Sequence, residues 1–577
     1  MRESSSQGAG LASVRATLEA LQLDGTLVRG TDRYLNEYVP RAESTREWLT
    51  GFSGSLGDAL VSRDAAWLFV DGRYHVQADR EVDLAAWTVV KNNLGTSNEA
   101  AAAETLISWA RAAGRRLRVG YEPERYSLAT FEGFAKLLAG AEIELVAVQP
   151  GVTERARGPM APTVTGQGGL RVLDDRAMGR TVAEKQALVA AWLDDKRADA
   201  LVVSRLDELA WLTNLRAQEM PYQATFRGAA VVTATTLTVA VDVLPVDASV
   251  RGARPGVTFV APEALFPSTL GGAVKRVAVD PASVSVATRQ ALEAMGLEVL
   301  SLASPIAPVK ARKTPAELDA MKRAFARADD VVAASQAWLE AQVREGAQVS
   351  EVDFAREVER RFLAAGATHL SFKVISAFGK NGAVVHHPPS AEAMIAPGDL
   401  MLLDTGCYFE EGFATDLTRT FFVGAPGQTP TEAQRRLYTL VLKAAIAGMS
   451  ARLPKGAVGA QLDGITRAPL WREGLDYAHG TGHGVGINVH ESPPGIGKTS
   501  LLSLEPGHVF SIEPGLYLEG VGGVRIENLC TVVESARHPN MLDVVPLTFA
   551  PLDQRLIDAS QLDAHERAFV EGFTRPA

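Results

Sequence analysis

The 577-residue sequence predicts a chain of α/β and α+β class, in which two similar mixed-sheet domains precede a larger α+β domain. Three observations predict this arrangement. The chain is too long for one hydrophobic core, a residue pattern occurs twice in its first half, and capped helices alternate with strand-like runs in its second half. We expect the three domains to span residues 1–158, 159–305 and 306–577.

The pattern in the first half joins a Trp-Leu-Thr stretch to two apolar strands. WLTGF at 48–52 is followed by GDALVSRDAAWLFVD, which ends at Asp71. WLTN at 211–214 is followed by GAAVVTATTLTVAVD, which ends at Asp242. A similar lead precedes each copy, LDGTLVRG in the first and ADALVVSR in the second. A duplicated α/β unit explains the repeat, and chance similarity between two strand-rich segments is the alternative.

Local signals divide the rest of the chain. The stretch from 152 to about 169 is rich in Gly, Pro and Thr, which predicts a linker between the first two domains. TPAE at 314–317 has the form of a capping box with proline at the first helical position, so we expect a helix reaching about Val343. TPTE at 429–432 repeats the signal and predicts a helix reaching about Leu453.

Composition restricts the class of partner. The net charge of −10 argues against nucleic acid or an anionic membrane as the main partner. No apolar run approaches the roughly 18 to 20 residues of a membrane span, and the start lacks the apolar stretch of a secretory signal. Cys407 and Cys530 are too few for a disulfide framework or a thiolate zinc site. We therefore expect a cytoplasmic protein that binds neither nucleic acid nor a membrane.

A predicted hairpin in the third domain carries two acids. In LMLLDTGCYFEEGFATDLTRTFFV, residues 400–423, two apolar runs flank an EEG turn signal, with Asp404 ending one run and Asp416 beginning the other. Antiparallel pairing would bring these carboxylates side by side, which is unfavourable unless a cation lies between them. Glu410 and Glu411 lie at the tip, and we interpret them as part of a solvated turn.

Two further acids follow in apolar surroundings. HVFSIEPGLYL places Glu513 at the end of a strand, and VGGVRIENLCTVV places Arg525 and Glu527 within another. Burying an unpaired carboxylate costs roughly several kcal/mol, so each needs a partner. An ion pair with a neighbouring arginine would explain Glu527 alone. Four such carboxylates in one domain favour a metal site.

Three of the ten histidines lie in HGTGHGVGINVHESP, residues 479–493. His479 and His483 have the i, i+4 spacing of a helical metal motif, but the alternate glycines disfavour a helix. We expect an extended segment whose backbone approaches a ligand, with these two side chains about 13 Å apart and unable to bind one ion. One histidine can then be a ligand, and the others are better placed to contact a substrate. Four carboxylates and one imidazole suit two divalent ions, first Mn²⁺, with Co²⁺ or Zn²⁺ as alternatives.

The ordered motifs LLDTG, TDLTRT, HGTGHGVG, VHESP, SIEPGLY and GVRIENL closely resemble those of the "pita-bread" metallopeptidases, which include methionine aminopeptidase, prolidase and aminopeptidase P. NEYVPRAESTREWLTGFSGSLGDALV, DGRYHVQA and RLDELAWLTNLR are similar to the amino-terminal domains of the long, three-domain, cytosolic-type Xaa-Pro aminopeptidases, and NGAVVHHPPS also fits that group. The resemblance covers roughly residues 10–555. It implies two creatinase-like amino-terminal domains followed by a pita-bread catalytic domain.

The resemblance also implies a set of metal ligands. Asp404 would be the bidentate ligand of one ion. Asp416 and Glu527 would bridge the two ions, and His483 and Glu513 would complete the other. Asp404 and Asp416 are twelve positions apart, one more than is usual in this family, and the extra residue falls in the turn between the two strands, where a longer loop leaves both registers intact.

Other residues would act on the substrate. By the same resemblance, Glu513 would be the general base for a metal-bridging hydroxide that attacks the carbonyl. His386 and His490 would contact that carbonyl and stabilise the tetrahedral oxyanion, and His479 would line the pocket. His387 is interpreted as a structural or rim residue.

The activity that the resemblance implies is removal of an amino-terminal residue from peptides whose second residue is proline. A prolidase-type Xaa-Pro dipeptidase is the nearest alternative, because it shares the metal set. A metal-free binding module or creatinase, and a hydrolase of non-peptide amides, are more distant ones. The resemblance further implies a homodimer built through the catalytic domain, with Trp471 near the contact.

Overall fold

The computed structural model describes residues 2–40, 43–92, 95–158, 168–518 and 520–575. The chain divides into two compact units. Unit 1 comprises Met1–Val172, Val182–Pro221 and Thr225–Pro305, and unit 2 comprises Leu173–Thr181, Tyr222–Ala224 and Ile306–Ala577. The three domain boundaries expected from the sequence stay predictions.

Unit 1 contains two six-stranded mixed sheets of the same topology. The strands of the first are β1 Gly25–Val28, β2 Asp58–Ser62, β3 Ala66–Val70, β4 Thr88–Lys91, β5 Leu117–Tyr121 and β6 Ile143–Ala147, in the order β4-β3-β2-β1-β5-β6. Those of the second are β8 Ala200–Val203, β10 Gly228–Thr233, β11 Leu237–Val241, β12 Val257–Val260, β13 Arg276–Val279 and β14 Glu298–Ser301, in the order β12-β11-β10-β8-β13-β14. β7 Arg171–Val172 and β9 Leu215–Arg216 form a separate pair.

The two sheets also agree in strand direction. The first three strands of the repeat are antiparallel in both copies, and the remaining pairs are parallel in both. Each Trp-Leu-Thr stretch lies on the helix between the first and second of these antiparallel strands, at Thr45–Thr50 and Leu206–Thr213. The predicted duplication is therefore confirmed, because the repeated residues occupy equivalent positions in two sheets of one topology.

Helices accompany these two sheets. They are α1 Arg2–Ala20, α2 Thr45–Thr50, α3 His75–Glu81, α4 Asn98–Ala113, α5 Leu128–Leu137, α6 Val152–Arg157, α7 Val182–Lys196, α8 Leu206–Thr213, α9 Ala248–Ala253, α10 Leu265–Thr269 and α11 Val286–Ala294. The expected linker was wrong over its first residues, because α6 is a helix with Val152 and Thr153 buried. Ser13 Oγ donates to the Ala156 carbonyl at 2.7 Å, which ties α6 to α1. Residues 159–167 of that stretch lie outside the described residues.

The helices of unit 2 begin at side-chain caps in several cases. They are α12 Ile306–Ala311, α13 Pro315–Arg344, α14 Glu351–Ala364, α15 Glu432–Met449, α16 Gly459–Trp471 and α17 Ala564–Glu571. The capping box predicted at Thr314 and Glu317 is present at the start of α13. The second cap was predicted two residues too early. Thr431 caps α15 by exchanging hydrogen bonds with Gln434, and the helix ends at Met449.

The strands of unit 2 form two principal sheets and two short pairs. They are β15 His369–Leu370, β16 Ile375–Phe378, β17 Asp399–Thr405, β18 Cys407–Tyr408, β19 Leu417–Val423, β20 Arg452–Pro454, β21 Gly482–Gly484, β22 Glu491–Ile496, β23 Val509–Ile512, β24 Gly515–Leu518, β25 Gly522–Arg525, β26 Asn528–Glu534 and β27 Met541–Pro546. One sheet has the order β16-β17-β19 and the other β20-β27-β26-β23-β21-β22, while β15 pairs with β18 and β24 with β25.

A single apolar cluster joins α15 to strands of both principal sheets of unit 2. It includes Phe422 of β19, Val441 and Ile446 of α15, and Phe510 and Ile512 of β23. Burial of these side chains packs β19 and β23 against the same helix. Asp416 directly precedes β19, and Glu513 directly follows β23. Both cysteines are buried and unpaired, as the sequence predicts. Within the described residues, no helix has the length and apolar character to cross a membrane.

Candidate metal centre

The predicted hairpin of the third domain is present and holds two acids at one end. β17 and β19 are antiparallel, with Asp404 opposite Thr418 and Thr405 opposite Leu417. Asp416 directly precedes β19. Asp404 and Asp416 are therefore diagonal neighbours at the same end of the hairpin, and both are buried.

The hairpin tip differs from its predicted form. Glu410 is exposed, as expected for a solvated turn, but only 8% of the Glu411 side chain is exposed. Arg327 donates to Glu410 at 3.0 Å and to Glu411 at 2.5 Å, and Arg323 lies 3.7 Å from Glu411. The interpretation of Glu411 as solvated was wrong, because arginines of α13 neutralise its charge at a buried position.

His483 lies at the centre of β21, between β22 and β23. The flanking glycines permit this close pairing. A Cβ atom at Gly482 would lie 1.8 Å from the Ser511 carbonyl oxygen, and one at Gly484 would lie 2.6 Å from the Glu491 carbonyl oxygen. The extended conformation expected for this segment is present at Gly482–Gly484. These two glycines approach the neighbouring strands, and the approach of this backbone to a ligand stays a prediction.

Glu513 and Glu527 extend from chain segments beside the hairpin. Glu513 directly follows β23, as predicted. Glu527 was predicted to lie within a strand, but it lies between β25 and β26. The chain leaves the sheet there because the Glu527 N–H donates to the Thr418 carbonyl at 3.2 Å, and the Ile526 N–H donates to the Pro514 carbonyl at 3.3 Å. This break brings Glu527 against the hairpin.

Several of these groups lie within ligand distance of one another. Asp416, His483 and Glu527 each offer a ligand atom, and these atoms all lie within 4.8 Å of one another. The Nε2 atom of His483 is 3.5 Å from Asp416 Oδ2 and 3.4 Å from Glu513 Oε1. Asp404 is outside the group of three but is close enough to influence the acids electrostatically. The structure thus brings together the side chains that the resemblance selects.

Burial and mutual repulsion raise the pKa values of three of these acids, Asp416, Glu513 and Glu527. Burial, followed by the charges of Glu527, Asp404 and Glu513, raises the pKa of Asp416 well above its usual value. Burial, followed by the charges of Glu513 and Asp404, does the same to the pKa of Glu527. Burial, with a smaller contribution from Asp404, raises the pKa of Glu513 to about 7. Carboxylates so arranged repel one another unless cations separate them.

Arg525 is the guanidinium among these four acids, and the sequence left it open only as an ion-pair partner of Glu527. Its Nη2 donates to Asp404 Oδ2 at 2.6 Å, and its Nη1 donates to the Tyr517 hydroxyl at 2.9 Å. The ion pair between Glu527 and a neighbouring arginine that the sequence left open was therefore wrong, because the Arg525 ion pair is with Asp404. Glu527 instead accepts from Thr418 Oγ1 at 2.7 Å.

The donor set fits divalent metal ions. One guanidinium cannot neutralise four carboxylates, and the second oxygen of Asp404, Oδ1, is buried without a hydrogen-bond partner among the described residues. Buried carboxylates that lack donors are paired or bind metal in stable proteins. Carboxylate oxygens with one imidazole nitrogen are ligands that Mn²⁺, Co²⁺ and Zn²⁺ accept.

Two of the predicted substrate-contacting histidines lie at this centre. The His490 ring packs edge-to-face on His483, with ring centroids 4.4 Å apart, and the His490 charge lowers the pKa of Glu513 against the larger effect of burial. His479 Nε2 is 2.9 Å from the Tyr517 hydroxyl, which itself accepts from Arg525. The three histidines of one short segment therefore have different surroundings, and His483 is the one that contacts the acids.

His386 and His387 are adjacent but differ in burial. His386 is half-buried, and the Val385 carbonyl before it accepts from Arg525 Nη1 at 3.4 Å. His387 is buried, and its Nε2 lies 2.7 Å from Glu351 Oε2. Of the two interpretations of His387, its burial favours a structural residue over a rim residue. The sequence showed no signal for the Glu351 contact, because the two residues are 36 positions apart.

Three family models match successive parts of the chain. Two models of the creatinase/prolidase N-terminal domain match residues 11–158 and 162–317. The model of metallopeptidase family M24 matches residues 319–534, which include every predicted metal ligand.

Curated relatives align along nearly the whole chain. A probable Xaa-Pro aminopeptidase P of Aspergillus clavatus is 34% identical over 98% of this chain and 88% of that protein. A protein of the same description from Neurospora crassa is 36% identical over 96% of this chain and 84% of that protein.

Solved structures agree with this assignment. The X-prolyl aminopeptidase of Caenorhabditis elegans, described as a cytosolic enzyme with a di-nuclear active site, superposes with a TM-score of 0.89 at 27% identity, over 98% of this chain and 94% of that one. An Xaa-Pro dipeptidase of Bacillus anthracis covers only 65% of this chain and 99% of its own, with a TM-score of 0.55 at 25% identity. The fold class predicted from the sequence is confirmed, and the chain belongs to the Xaa-Pro aminopeptidase P family of metallopeptidases.

Proposed function

We propose that this protein is a metalloaminopeptidase that hydrolyses the amino-terminal Xaa-Pro bond of peptides. One observation carries the proposal. The cluster of four carboxylates and an imidazole lies in a chain that matches Xaa-Pro aminopeptidases over nearly its full length, whereas an Xaa-Pro dipeptidase matches about two thirds of it. Because the dipeptidase match covers only 65% of this chain, the comparison favours the aminopeptidase over the prolidase alternative.

The acids and His483 would hold two divalent metal ions, for which Mn²⁺ is our first choice because oxygen ligands predominate. The chemistry that a pair of such ions supplies when bound is activation of water and polarisation of a carbonyl oxygen. The repulsion among the carboxylates supports this assignment, because bound cations would relieve it. The proposed ligands are Asp404, Asp416, His483, Glu513 and Glu527.

The chain's own groups would move protons and stabilise charge. Glu513 is the proposed general base, because it is buried beside His483 and has one hydroxyl donor, Ser511 Oγ, at 3.2 Å. His490, next to His483, and His386 would donate to the substrate carbonyl as negative charge develops on its oxygen. His479, held by Tyr517, would line the same pocket.

The preference for proline follows from the chemistry of the bond. The nitrogen of an Xaa-Pro bond carries no hydrogen, and its ring restricts the residue before it. A site that accepts this bond must therefore position the carbonyl without using an N–H of the second residue. The residues that would contact the proline ring are not identified by the metal ligands, and the preference is supported by the relatives that carry the name.

Hydrolysis of a tripeptide series tests the proposal. After metal removal and return of Mn²⁺, we expect turnover of Arg-Pro-Pro and negligible turnover of Arg-Ala-Pro. A dipeptide, Gly-Pro, is the control for the alternative. Hydrolysis of Gly-Pro without hydrolysis of Arg-Pro-Pro would replace the proposal with a prolidase, and equal rates on the proline and alanine tripeptides would remove the proline preference.

We also propose a cytoplasmic homodimer with peptides, and neither nucleic acid nor a membrane, as partners. Trp471 ends α16 with 47% of its surface exposed, which is unusual for a tryptophan and suits a contact with a second copy. The Caenorhabditis elegans relative is described as cytosolic. Analytical ultracentrifugation should give a dimer that Trp471→Glu converts to a monomer, and a wild-type monomer would contradict this. For the proposed domains 1–158, 159–305 and 306–577, the family-model ranges support the first boundary, and the compact unit that resumes at Ile306 supports the second.

A further inference from the structure

Glu351 is a buried carboxylate that lies outside the metal centre. It is the first residue of α14 and is fully buried. Its Oε1 accepts from the Phe378 N–H at 2.7 Å and from Asn381 Nδ2 at 2.9 Å. Its Oε2 lies 2.7 Å from His387 Nε2 and accepts from the Ser390 N–H at 3.0 Å. Each carboxylate oxygen of Glu351 thus has two hydrogen-bond partners.

All four partners belong to one stretch, residues 378–390, which we name the His386 segment. The stretch leaves β16, passes through a short turn of 3₁₀ helix at Gly379–Ala383, and then continues without regular hydrogen bonding. Backbone without regular pairing needs other partners to hold one conformation. A single carboxylate supplies them here, at the beginning, in the middle and at the end of the segment.

The His386 segment has a second anchor on its other side. Arg525 Nη1 donates to the Val385 carbonyl at 3.4 Å, while Nη2 of the same guanidinium donates to Asp404 at 2.6 Å. His386 therefore lies between a residue held by the metal centre and a residue held by Glu351. Its position relative to the centre is fixed from both neighbours in the chain.

The contacts of Glu351 favour its charged form. Burial acts to raise its pKa, but the hydrogen bond from His387 and those from the segment outweigh it and leave the pKa below its usual value. Hydrogen bonds to an ionised acceptor are the stronger ones. The Nδ1 atom of His387 is buried without a partner among the described residues, so Nε2 is the ring nitrogen that donates at this site, to Glu351.

We propose that Glu351 and His387 are positioning residues for Xaa-Pro hydrolysis, which act by holding the His386 segment so that His386 reaches the substrate carbonyl. This inference rests on the proposed function. It assigns no contact with substrate or metal to either residue. A misplacement of about 1 Å in a group that stabilises the transition state can lower a rate by about 100-fold.

The test compares variants of both residues with a matched control. Glu351→Gln should lower kcat about 10- to 100-fold, because an amide nitrogen would face N–H donors, with KM changed less than about threefold. Glu359→Gln, at an exposed position of the same helix, should leave both constants unchanged. His387→Ala should resemble Glu351→Gln, whereas His387→Gln, whose amide can still donate to Glu351, should recover most of the rate. Metal content should equal that of the wild type in every variant.

A double-mutant cycle with His386→Ala gives the decisive result. If Glu351 acts through His386, Glu351→Gln should lower the rate less than about threefold in the His386→Ala background. An equal loss in both backgrounds, loss of metal, or an unchanged kcat for Glu351→Gln would overturn the positioning role.

Hydrogen exchange gives a readout that is independent of turnover. Glu351→Gln and His387→Ala should increase exchange in the peptide that covers the His386 segment, and unchanged exchange would contradict the proposal. Absence of Xaa-Pro hydrolysis by the wild-type protein would instead reject the proposed function, and the positioning role with it.

Discussion

Glu351 and Glu527 are both buried carboxylates of unit 2, but their surroundings are opposite. Glu351 lies among donors that come from one segment, and its pKa is below the usual value. Glu527 has one hydroxyl donor, from Thr418, and lies among other acids, so its pKa is well above the usual value. Two buried carboxylates of the same unit therefore have pKa values that are shifted in opposite directions.

The difference separates buried carboxylates that the protein's own side chains pair from those that it does not pair. Glu491 belongs with Glu351, because its Oε2 lies 2.6 Å from Lys310 Nζ and 3.2 Å from Lys313 Nζ. Asp416 belongs with Glu527. Burial of a charge is tolerated when it is paired and hydrogen-bonded. The second pair of acids satisfies this condition only with added cations.

The largest expected effect is from Asp416→Asn, which converts a proposed ligand of the centre into an amide. We expect kcat/KM to fall roughly 1,000-fold, since metal ions contribute several kcal/mol to the transition state. The metal content measured by mass spectrometry should fall as well. Glu410→Gln, an exposed position on the same hairpin, is the control. Full activity of Asp416→Asn would place the metal elsewhere.

A smaller but substantial effect is expected from Arg525→Met, which removes the guanidinium among the acids. Breaking a buried ion pair costs about 3 to 5 kcal/mol. In the metal-free protein the free energy of unfolding should fall by about that amount, because Asp404 loses the guanidinium that pairs with it. In the Mn²⁺-loaded protein the loss should be smaller. Equal shifts of the melting temperature in both forms would contradict the role of cations at this centre.

The metal-free protein should lose stability as the pH rises. The pKa of Glu513 is raised from 4.5 to about 7 on folding, so the folded protein binds the proton more tightly than the unfolded chain. This contribution is complete below about pH 4.5 and is lost as the pH rises to about 7. Mn²⁺ should abolish the loss, which melting temperatures between about pH 5 and pH 8 would record. A stabilisation by Mn²⁺ that does not grow with pH would argue against ionised acids as the ligands.

The smallest effect is expected from Glu410→Gln on the free energy of unfolding. Its ion pair with Arg327 is exposed, and such pairs contribute less than about 1 kcal/mol. The buried neighbour Glu411 contacts the same arginine, so Glu411→Gln should cost more. Urea denaturation measures the free energy of unfolding of both variants, whose substitutions lie in the same turn. An equal loss in the two variants would show that burial does not distinguish the two ion pairs.

Local features were predictable from the sequence because their physical cause is local. The capping box at Thr314, the β17–β19 hairpin and the repeated Trp-Leu-Thr pattern each depend on residues close in the chain. The cap of α15 was predicted two residues too early, because Thr429 and Thr431 both fit a capping position in the sequence. Only the hydrogen bonds of the folded helix show that Thr431 is the cap.

Features that depend on distant partners were not predictable. The strand break before Glu527 requires the Thr418 carbonyl, which lies 109 residues earlier in the chain. Gly482 and Gly484 make room for neighbouring strands that pair with β21 only in the folded chain. The sequence left open an ion pair between Glu527 and a neighbouring arginine, but in the fold Arg525 pairs with Asp404. A glutamate at the first position of a helix is typical of a helix start, so nothing marked Glu351 as the anchor of the His386 segment.

The four clustered acids, together with His483, are proposed to hold two divalent ions. The most direct test loads the wild-type protein with Mn²⁺, removes free ion by gel filtration, and measures metal per chain. We expect about two ions per chain, released by a chelator and restored with activity. Less than about half an ion per chain, together with retained binding of Arg-Pro-Pro, would contradict the account.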